Sequence, residues 1–200
     1  SRALIEEEAV KHEAVFVLEP ALPPLGELKT WRKGVGLYRV RVTGVAAHAG
    51  AAHNEGANAI EELAHQVLAI QKLTDYAAGT TVNVGVVGGG TRSNVVPEHA
   101  WARVDARVMN AAEAERLDAA LRGLTPQVEG TKVEVTGGIN RPPWDRSEAG
   151  MALYRRAAAV AAELGLPVSE TGTGGGSDGN FTAALGVPTA LVTDEVADGS

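Results

Sequence analysis

The chain has 200 residues, 44% of them hydrophobic, and a formal net charge of −7, which is enough for one or two domains with a core of their own. The acidic balance and the lack of a Lys/Arg run argue against nucleic acid and an anionic membrane surface. No apolar run nears the roughly 18–20 residues of a membrane-spanning helix. With no cysteine there is neither a disulfide nor a thiolate zinc site, so any metal needs His and carboxylate ligands.

In chain order, Arg2 to about His12 carries the pattern of a helix tail whose consecutive glutamates form a solvated face. Ala14–Leu18 is a short continuous apolar run that predicts a buried strand of a parallel sheet. Glu19-Pro20 closes it. A carboxylate there is either an exposed strand-end glutamate or sits where open α/β sheets place their sites. Pro23, Pro24 and Gly26 mark Ala21–Thr30 as a linker.

From Lys33 to Gly138 the pattern is strand, helix, strand, strand, helix, strand. The first strand, about Gly36–Gly44, alternates Tyr38, Val40 and Val42 against Arg39, Arg41 and Thr43, the mark of a half-buried strand. A helix over about Asn58–Leu73 lines up Ile60, Leu63, Val67 and Ile70. Strands over Thr81–Val87 and about Ala100–Val108 follow, separated by a glycine-rich turn. A helix over about Ala111–Leu124 and a strand over Lys132–Thr136 complete the set. This βαββαβ order predicts a ferredoxin-like arrangement, four antiparallel strands with both helices on one face. Gly137–Trp144 forms a second linker. Beyond it come a helix (about Glu148–Leu164), a strand near Val168, a glycine-rich loop over Thr171–Asp178, a helix to Leu185 and a strand over Thr189–Val192. These resume the α/β style of the first twenty residues. The predicted class is α+β, with a domain over 33–140 inserted into an α/β domain formed by 1–32 and 141–200.

Two stretches invite chemistry. Gly44–Ala52 places His48 among small residues at a strand end, either a satisfied surface histidine or an imidazole poised to donate a hydrogen bond or bind metal. The glycine loop is not a dinucleotide fingerprint, since Ser177 stands at the third glycine and no P-loop lysine is present. That makes a nucleotide-binding domain a poor fit. The loop is either a structural turn or an anion site for a carboxylate or phosphate.

Taken together, Leu18-Glu-Pro20, Lys33–Gly36, Ala46–Ala51, Gly89–Pro97, Val104–Val108, Asn140–Pro142 and Thr173–Asp178 resemble, in order and spacing, a family of dinuclear-zinc metallohydrolases. It includes bacterial glutamate carboxypeptidase, acetylornithine deacetylase and aminoacylase, and the glutamate carboxypeptidase branch is the most similar. The resemblance implies a catalytic α/β domain with an inserted lid that makes a homodimer. It implies Glu19 as a zinc ligand, His48 as the donor to the oxyanion with Asn94 beside it, and Arg107 and Arg141 as contacts to a substrate carboxylate. The amides of Gly174, Gly175 and Gly176 would form a carboxylate-binding loop. The implied reaction is zinc-dependent hydrolysis of the amide bond of an N-acyl amino acid or a C-terminal glutamate, with two zinc ions in the whole protein. The substrate is a small acyl-amino acid or peptide.

The chain begins within a helical pattern and ends without a terminal element, so it is expected to be a piece of a longer protein. By the same resemblance, a His-x-Asp pair and an Asp-Glu-Glu segment precede Ser1 and a last ligand histidine follows Ser200. The chain then keeps one metal ligand and no general base and is inactive by itself; its compartment stays open, with the cytoplasm favoured over the alternatives. The alternative is a non-catalytic dimerisation or ligand-binding module. Topology adds one expectation. Arg107 and Arg141 fall at the end of the inserted domain where both linkers enter, and His48 and Asn94 at the other end. A strand of about eight residues spans ~26 Å. His48 and Asn94 are therefore expected to complete a partner's site, with the edge strand Thr81–Val87 and its neighbouring helix as the contact.

Overall fold

The computed structural model describes residues 2–19, 27–166 and 168–192. It divides into two compact units, Ser1–Val35 with Met109–Ala111 and Arg141–Ser200, and Gly36–Val108 with Ala112–Asn140. Both mix helices and strands.

The first unit holds β1 (Val15–Leu18), β2 (Glu27–Arg32), β9 (Ser169–Thr173) and β10 (Thr189–Val192) in the order β1-β10-β2-β9. β1 runs parallel to β10, and β2 parallel to β9, but β10 and β2 are antiparallel. The sheet is therefore mixed rather than parallel. Helices α1 (Arg2–Ala9), α4 (Glu148–Glu163) and α5 (Gly179–Ala184) accompany it. Ser147 caps α4 by accepting from the Gly150 amide, satisfying one of the donors a helix start leaves open.

Two expectations change here. Phe16 and Leu18 are 55% and 66% exposed, so β1 is not a buried strand; only its Val15 and Val17 side is partly covered. The linker expected over Ala21–Thr30 lies outside the described residues up to Gly26, and from Glu27 it is strand. Leu28, Lys29, Thr30 and Arg32 of β2 are all buried. Arg32 and Trp144 exchange backbone hydrogen bonds at 3.0 Å each, which seats the buried Trp144 indole in this unit.

In the second unit the elements run β3 (Gly34–Thr43), β4 (Ala47–His48), a short 3-10 turn (His53–Glu55), α2 (Ala59–Gln71), β5 (Thr81–Gly89), β6 (Val95–Val96), β7 (His99–Val108), α3 (Ala111–Arg122) and β8 (Lys132–Arg141). The first residues of β3 and α3 and the last of β8 belong to the first unit. The main sheet has the order β5-β7-β3-β8. β5 and β7 are antiparallel, with Thr81 opposite Arg107 and Gly89 opposite Ala100. Strand β8 extends to Arg141, into the first part of the stretch expected to be a linker, and Gly137, at φ +99°, lets it close up on β3. A Cβ there would lie 2.1 Å from the Leu37 carbonyl oxygen.

One core fills this unit. Val40 and Val42 of β3, alternate residues of β7 from Ala100 to Val108, Leu63 and Ile70 of α2, and Leu117 and Leu121 of α3 are buried in one cluster. Alternation on the strands and 3.6-residue periodicity on the helices thus meet on the same side of the sheet. Asn58 starts α2 by accepting from the amides of Ile60 and Glu61. Behind α2, the fully buried Glu62 carboxylate accepts from the amides of Gln127 and Val128 at 2.7 and 2.6 Å, from Gln66 Nε2 at 2.5 Å and from Thr131 Oγ1 at 3.2 Å. It pins the connection between α3 and β8 to the helix.

Candidate functional site

In the second unit, β4 and β6 form a two-stranded ribbon that sets His48 opposite Val95. The Ala49 amide donates to the Asn94 carbonyl at 3.0 Å. His48 and Asn94 are therefore neighbours, and both are exposed. The ribbon is tied to the sheet by the Gly44 amide, which donates to the Glu98 carbonyl at 2.7 Å. Only glycine fits at 44, where a Cβ would stand 2.0 Å from the Ala57 oxygen.

The turn after His48 decides its tautomer. The amides of Gly50 and Ala51 both donate to His48 Nδ1, at 3.1 Å each. A nitrogen that accepts carries no proton, so in the neutral ring the proton sits on Nε2. The exposed imidazole thus presents an N–H donor to whatever approaches the ribbon.

Arg107 lies elsewhere. The ribbon joins the sheet beside the start of β7, whereas Arg107 is eight residues further on, ~26 Å at strand rise. Its guanidinium makes a two-point contact with Asp105, Nε to Oδ1 at 2.7 Å and Nη2 to Oδ2 at 2.8 Å. A substrate carboxylate would have to share or displace Asp105.

The first unit brings Glu19, Arg141 and the glycine loop into one neighbourhood. Glu19, just after β1, accepts from Arg32 Nη2 at 2.6 Å and from Ser177 Oγ at 2.5 Å. Arg32 also donates through Nη1 to the Gly175 carbonyl at 3.1 Å, so one buried guanidinium ties the carboxylate to the loop. Lys29 is buried on the same strand. Burial lowers its pKa, as does Arg32, against the pull of Glu19 and Glu27.

Gly174, Gly175 and Gly176 connect β9 to α5. The Gly175 amide donates to Thr173 Oγ1 at 3.3 Å, so it is already engaged. Gly176 is a true close approach, where a Cβ would lie 2.5 Å from Val35 Cγ2 and 3.1 Å from Arg141 Cδ. Arg141 donates to Asp178 Oδ1 at 3.1 Å and lies over the Phe181 ring at 5.4 Å.

Sequence reasoning missed Arg32 and the bond that Ser177 makes to Glu19, and matched Lys29 only loosely to a lysine of similar proteins. In the residue order Ser177 stands out only as a missing glycine, and Arg32 and Lys29 look like polar residues near a linker. Residues 27–32 show no alternation of apolar and polar positions, so no local pattern in the residue order marks the two cations.

The implied zinc pair does not fit the described residues taken alone. No three His, Asp or Glu side chains among them gather as a metal cradle. Glu19 offers one carboxylate, with both oxygens held by Arg32 and Ser177. Nor is any described helix long and apolar enough to cross a membrane.

Residues 30–130 match the model of the M20 peptidase dimerisation domain. The chain belongs to this M20 family. His48, Asn94 and Arg107 fall inside the matched dimerisation domain, whereas Glu19, Arg141 and the glycine loop lie outside it. The M20 chain is 34% identical to carboxypeptidase G2 of a Pseudomonas strain over 94% of its own length and 46% of that protein's. It is 38% identical to one of the subunits of the p-aminobenzoyl-glutamate hydrolase of Escherichia coli, over 43% of its own length and 21% of the relative's. Among solved structures, aminopeptidase PepT of Bacillus cereus superposes with a TM-score of 0.73 at 25% identity, covering 95% of this chain and 52% of that one. The chain thus spans about half the length of the relatives that match most of it, and those relatives are peptidases and amide hydrolases.

Proposed function

We propose that this chain is the dimerisation domain, with adjoining segments of the catalytic domain, of a hydrolase that cleaves the amide bond of an N-acyl amino acid or a C-terminal glutamate. The observation that carries the reading is the fixed tautomer of His48, with Nε2–H facing outward beside Asn94. A preset donor of this kind suits the oxyanion of a tetrahedral intermediate, where one donor contributes about 2.7–4 kcal/mol. The names of the relatives, a carboxypeptidase and a p-aminobenzoyl-glutamate hydrolase, support an acyl-glutamate substrate. Arg141 beside the glycine loop is the group we assign to its carboxylate, with Arg107 as a second. A two-point arginine contact suits that anion. Glu19 is assigned as one ligand of a zinc pair, the other ligands and the general base coming from a longer form of the protein. A metal held in part by Glu19 would supply a Lewis acid and lower the pKa of a bound water. The chain alone is inactive in this reading.

The strand order β5-β7-β3-β8 and the shared core of α2 and α3 support a ferredoxin-like domain. β5 is an edge of that sheet, and beside it Ile60, Leu63, Val67, Leu68 and Val87 line an apolar groove of about 400 Å³. A sheet edge without a partner strand, its Val82 and Val84 amides held by the Thr74 and Gln71 side chains, next to an apolar groove is the homodimer contact we assign. The domain's two connections to the rest of the chain enter at the start of β3 and the end of β8, whereas His48 follows the far end of β3. His48 and Asn94 would then serve the partner's site.

Complementation tests this. In a version extended at both ends, His48→Ala and Arg141→Ala subunits are each expected to be inactive on an N-acyl-glutamate. Mixed dimers are expected to recover activity, because one of the two sites regains both residues. Two inactive variants that stay inactive after mixing, with subunit exchange shown by mass spectrometry, would rule out the shared site. A fully active His48→Ala enzyme would remove His48 from the reaction.

A further inference from the structure

The side of the second unit's sheet away from the helices carries a feature that neither the dimer nor the hydrolysis uses. On β3, Arg39 and Arg41 point opposite to the core residues Val40 and Val42, and on β7, Trp101 and Arg103 point opposite to Ala100, Ala102 and Val104. β3 and β7 are neighbours. The guanidinium carbon of Arg39 lies 5.3 Å from the centroid of the Trp101 ring and that of Arg103 5.7 Å. The indole itself lies across Gly88, its partner on β5, where a Cβ would stand 2.8 Å from Trp101 Cζ2. The glycine makes room for the ring, and the ring holds two cations by their attraction to its π face.

None of these three arginines has an ion-pair partner among the described residues, although acidic residues outnumber basic ones in the chain, 25 to 18. Arg39 Nε is buried with no hydrogen-bond partner, so it is the ring and not a carboxylate that fixes this side chain. Arg41 and Arg103 are exposed. Like charges on neighbouring strands repel and weaken a sheet. Arg39 and Arg103 flank one indole and Arg41 lies two residues along β3, while of the carboxylates on this face Asp105 is held by Arg107 and Glu134 makes no ion pair among the described residues.

We propose that this sheet face binds a short extended acidic peptide with carboxylates at alternate positions. Spacing selects the peptide. Arg39 and Arg41 are two residues apart on one strand, ~6.7 Å, and that is also the distance between same-side side chains of an extended peptide. Charge selects carboxylates, whose geometry the guanidinium fork matches. A nucleic acid fits less well, because the Trp101 ring already holds guanidinium groups and leaves little face for a base, and the net charge of −7 repels a long polyanion. The site is separate from the residues assigned to hydrolysis, and its failure would leave that reading untouched.

The test is a titration of the 200-residue chain with acetyl-Glu-Ser-Glu-Ser-Glu-amide, followed by tryptophan fluorescence and calorimetry. Saturable binding is expected that weakens with salt, with a fluorescence change lost in Trp101→Phe. At least tenfold weaker binding is expected in both Arg39→Gln and Arg103→Gln. Arg41→Gln, at an exposed position, provides the same reading should either variant lower the melting temperature. Equal binding of the Gln-Ser-Gln-Ser-Gln peptide would overturn the proposal, as would inorganic phosphate competing at equal concentration. Tighter binding of a single-stranded oligonucleotide, or unchanged affinity in all three variants, would do so too.

Discussion

Replacing Glu62 with glutamine tests how the second unit is held together. The carboxylate is fully buried and takes four hydrogen bonds, two of them from the backbone amides of Gln127 and Val128. Bonds to a charged acceptor contribute about 1.5–3 kcal/mol each, against about 0.5–1.5 for neutral pairs. The amide keeps one oxygen for the two backbone donors but loses the charge, a deficit of roughly 1 kcal/mol per bond. Its new NH₂ also meets Gln66 Nε2, a donor facing a donor, at a further ~1–3 kcal/mol. The expected loss is about 3–5 kcal/mol, a large part of the ~5–15 kcal/mol that stabilises a domain. Urea unfolding followed by circular dichroism should show a midpoint lowered by one or more molar, at slopes of about 1–3 kcal/mol per molar. The pH dependence is sharper still. Burial pushes the Glu62 pKa up, but the bonds from Gln66, Val128, Gln127 and Thr131 outweigh it and leave it lowered. A carboxylate with a lowered folded pKa stabilises fully above its unfolded value, ~4.3, and loses that contribution as the pH falls through the folded one. Wild type and Glu62→Gln should therefore converge in acid. A gap that stays constant with pH, or one below ~0.5 kcal/mol at pH 7, would refute this account.

Other outcomes follow from the same structure. If the proposed dimer forms through this face, Leu68→Glu and Val87→Lys, both on exposed apolar positions, should leave a folded monomer, read by light scattering. Glu113 is held down to about 2 by hydrogen bonds from Arg116 and Thr80. Thr80→Val should move its NMR titration upward, and the stability Glu113 contributes should be intact above ~4.3 and fade as the pH falls toward 2. Arg32→Gln leaves Glu19 with Ser177 alone and frees the Gly175 carbonyl. A loss of about 2 kcal/mol is expected in the first unit, below the cost for a fully buried pair because Glu19 is partly exposed, with faster proteolysis near 175 as the readout.

The alternation of Tyr38, Val40 and Val42 and of Ala102, Val104 and Ala106 made β3 and β7 legible, because a strand half-covered by helices writes its faces directly into the residue order. The apolar stripe of α2 was readable for the same local reason. Glu62 was not, because a carboxylate inside that stripe makes sense only once the amides of 127 and 128 arrive from far along the chain. β2 was hidden for a related reason. Prolines and a glycine ahead of it read as a break, and buried Lys29 and Arg32 look like loop residues until Glu19 and the glycine loop surround Arg32. The stretch around His48 stood out by its small residues. Its tautomer depends on two amides in a turn that the residue order alone does not specify. Arg39 and Arg103 read as the polar sides of two separate strands, and only strand pairing brings them both to Trp101.

The placement of β3 beside β8 has a consequence for how the chain can be rearranged. Thr136 Oγ1 donates to the Arg39 carbonyl, and Gly137 packs on Leu37, so the two strands run in opposite directions. Gly36 and Asn140 consequently leave the unit side by side, on strands whose neighbours are ~4.8 Å apart. A loop of a few residues could close this segment into a ring, or bridge the gap left by its removal. The segment has the geometry of a cassette, one that can be excised, circularly permuted or exchanged between hosts without stretching either end.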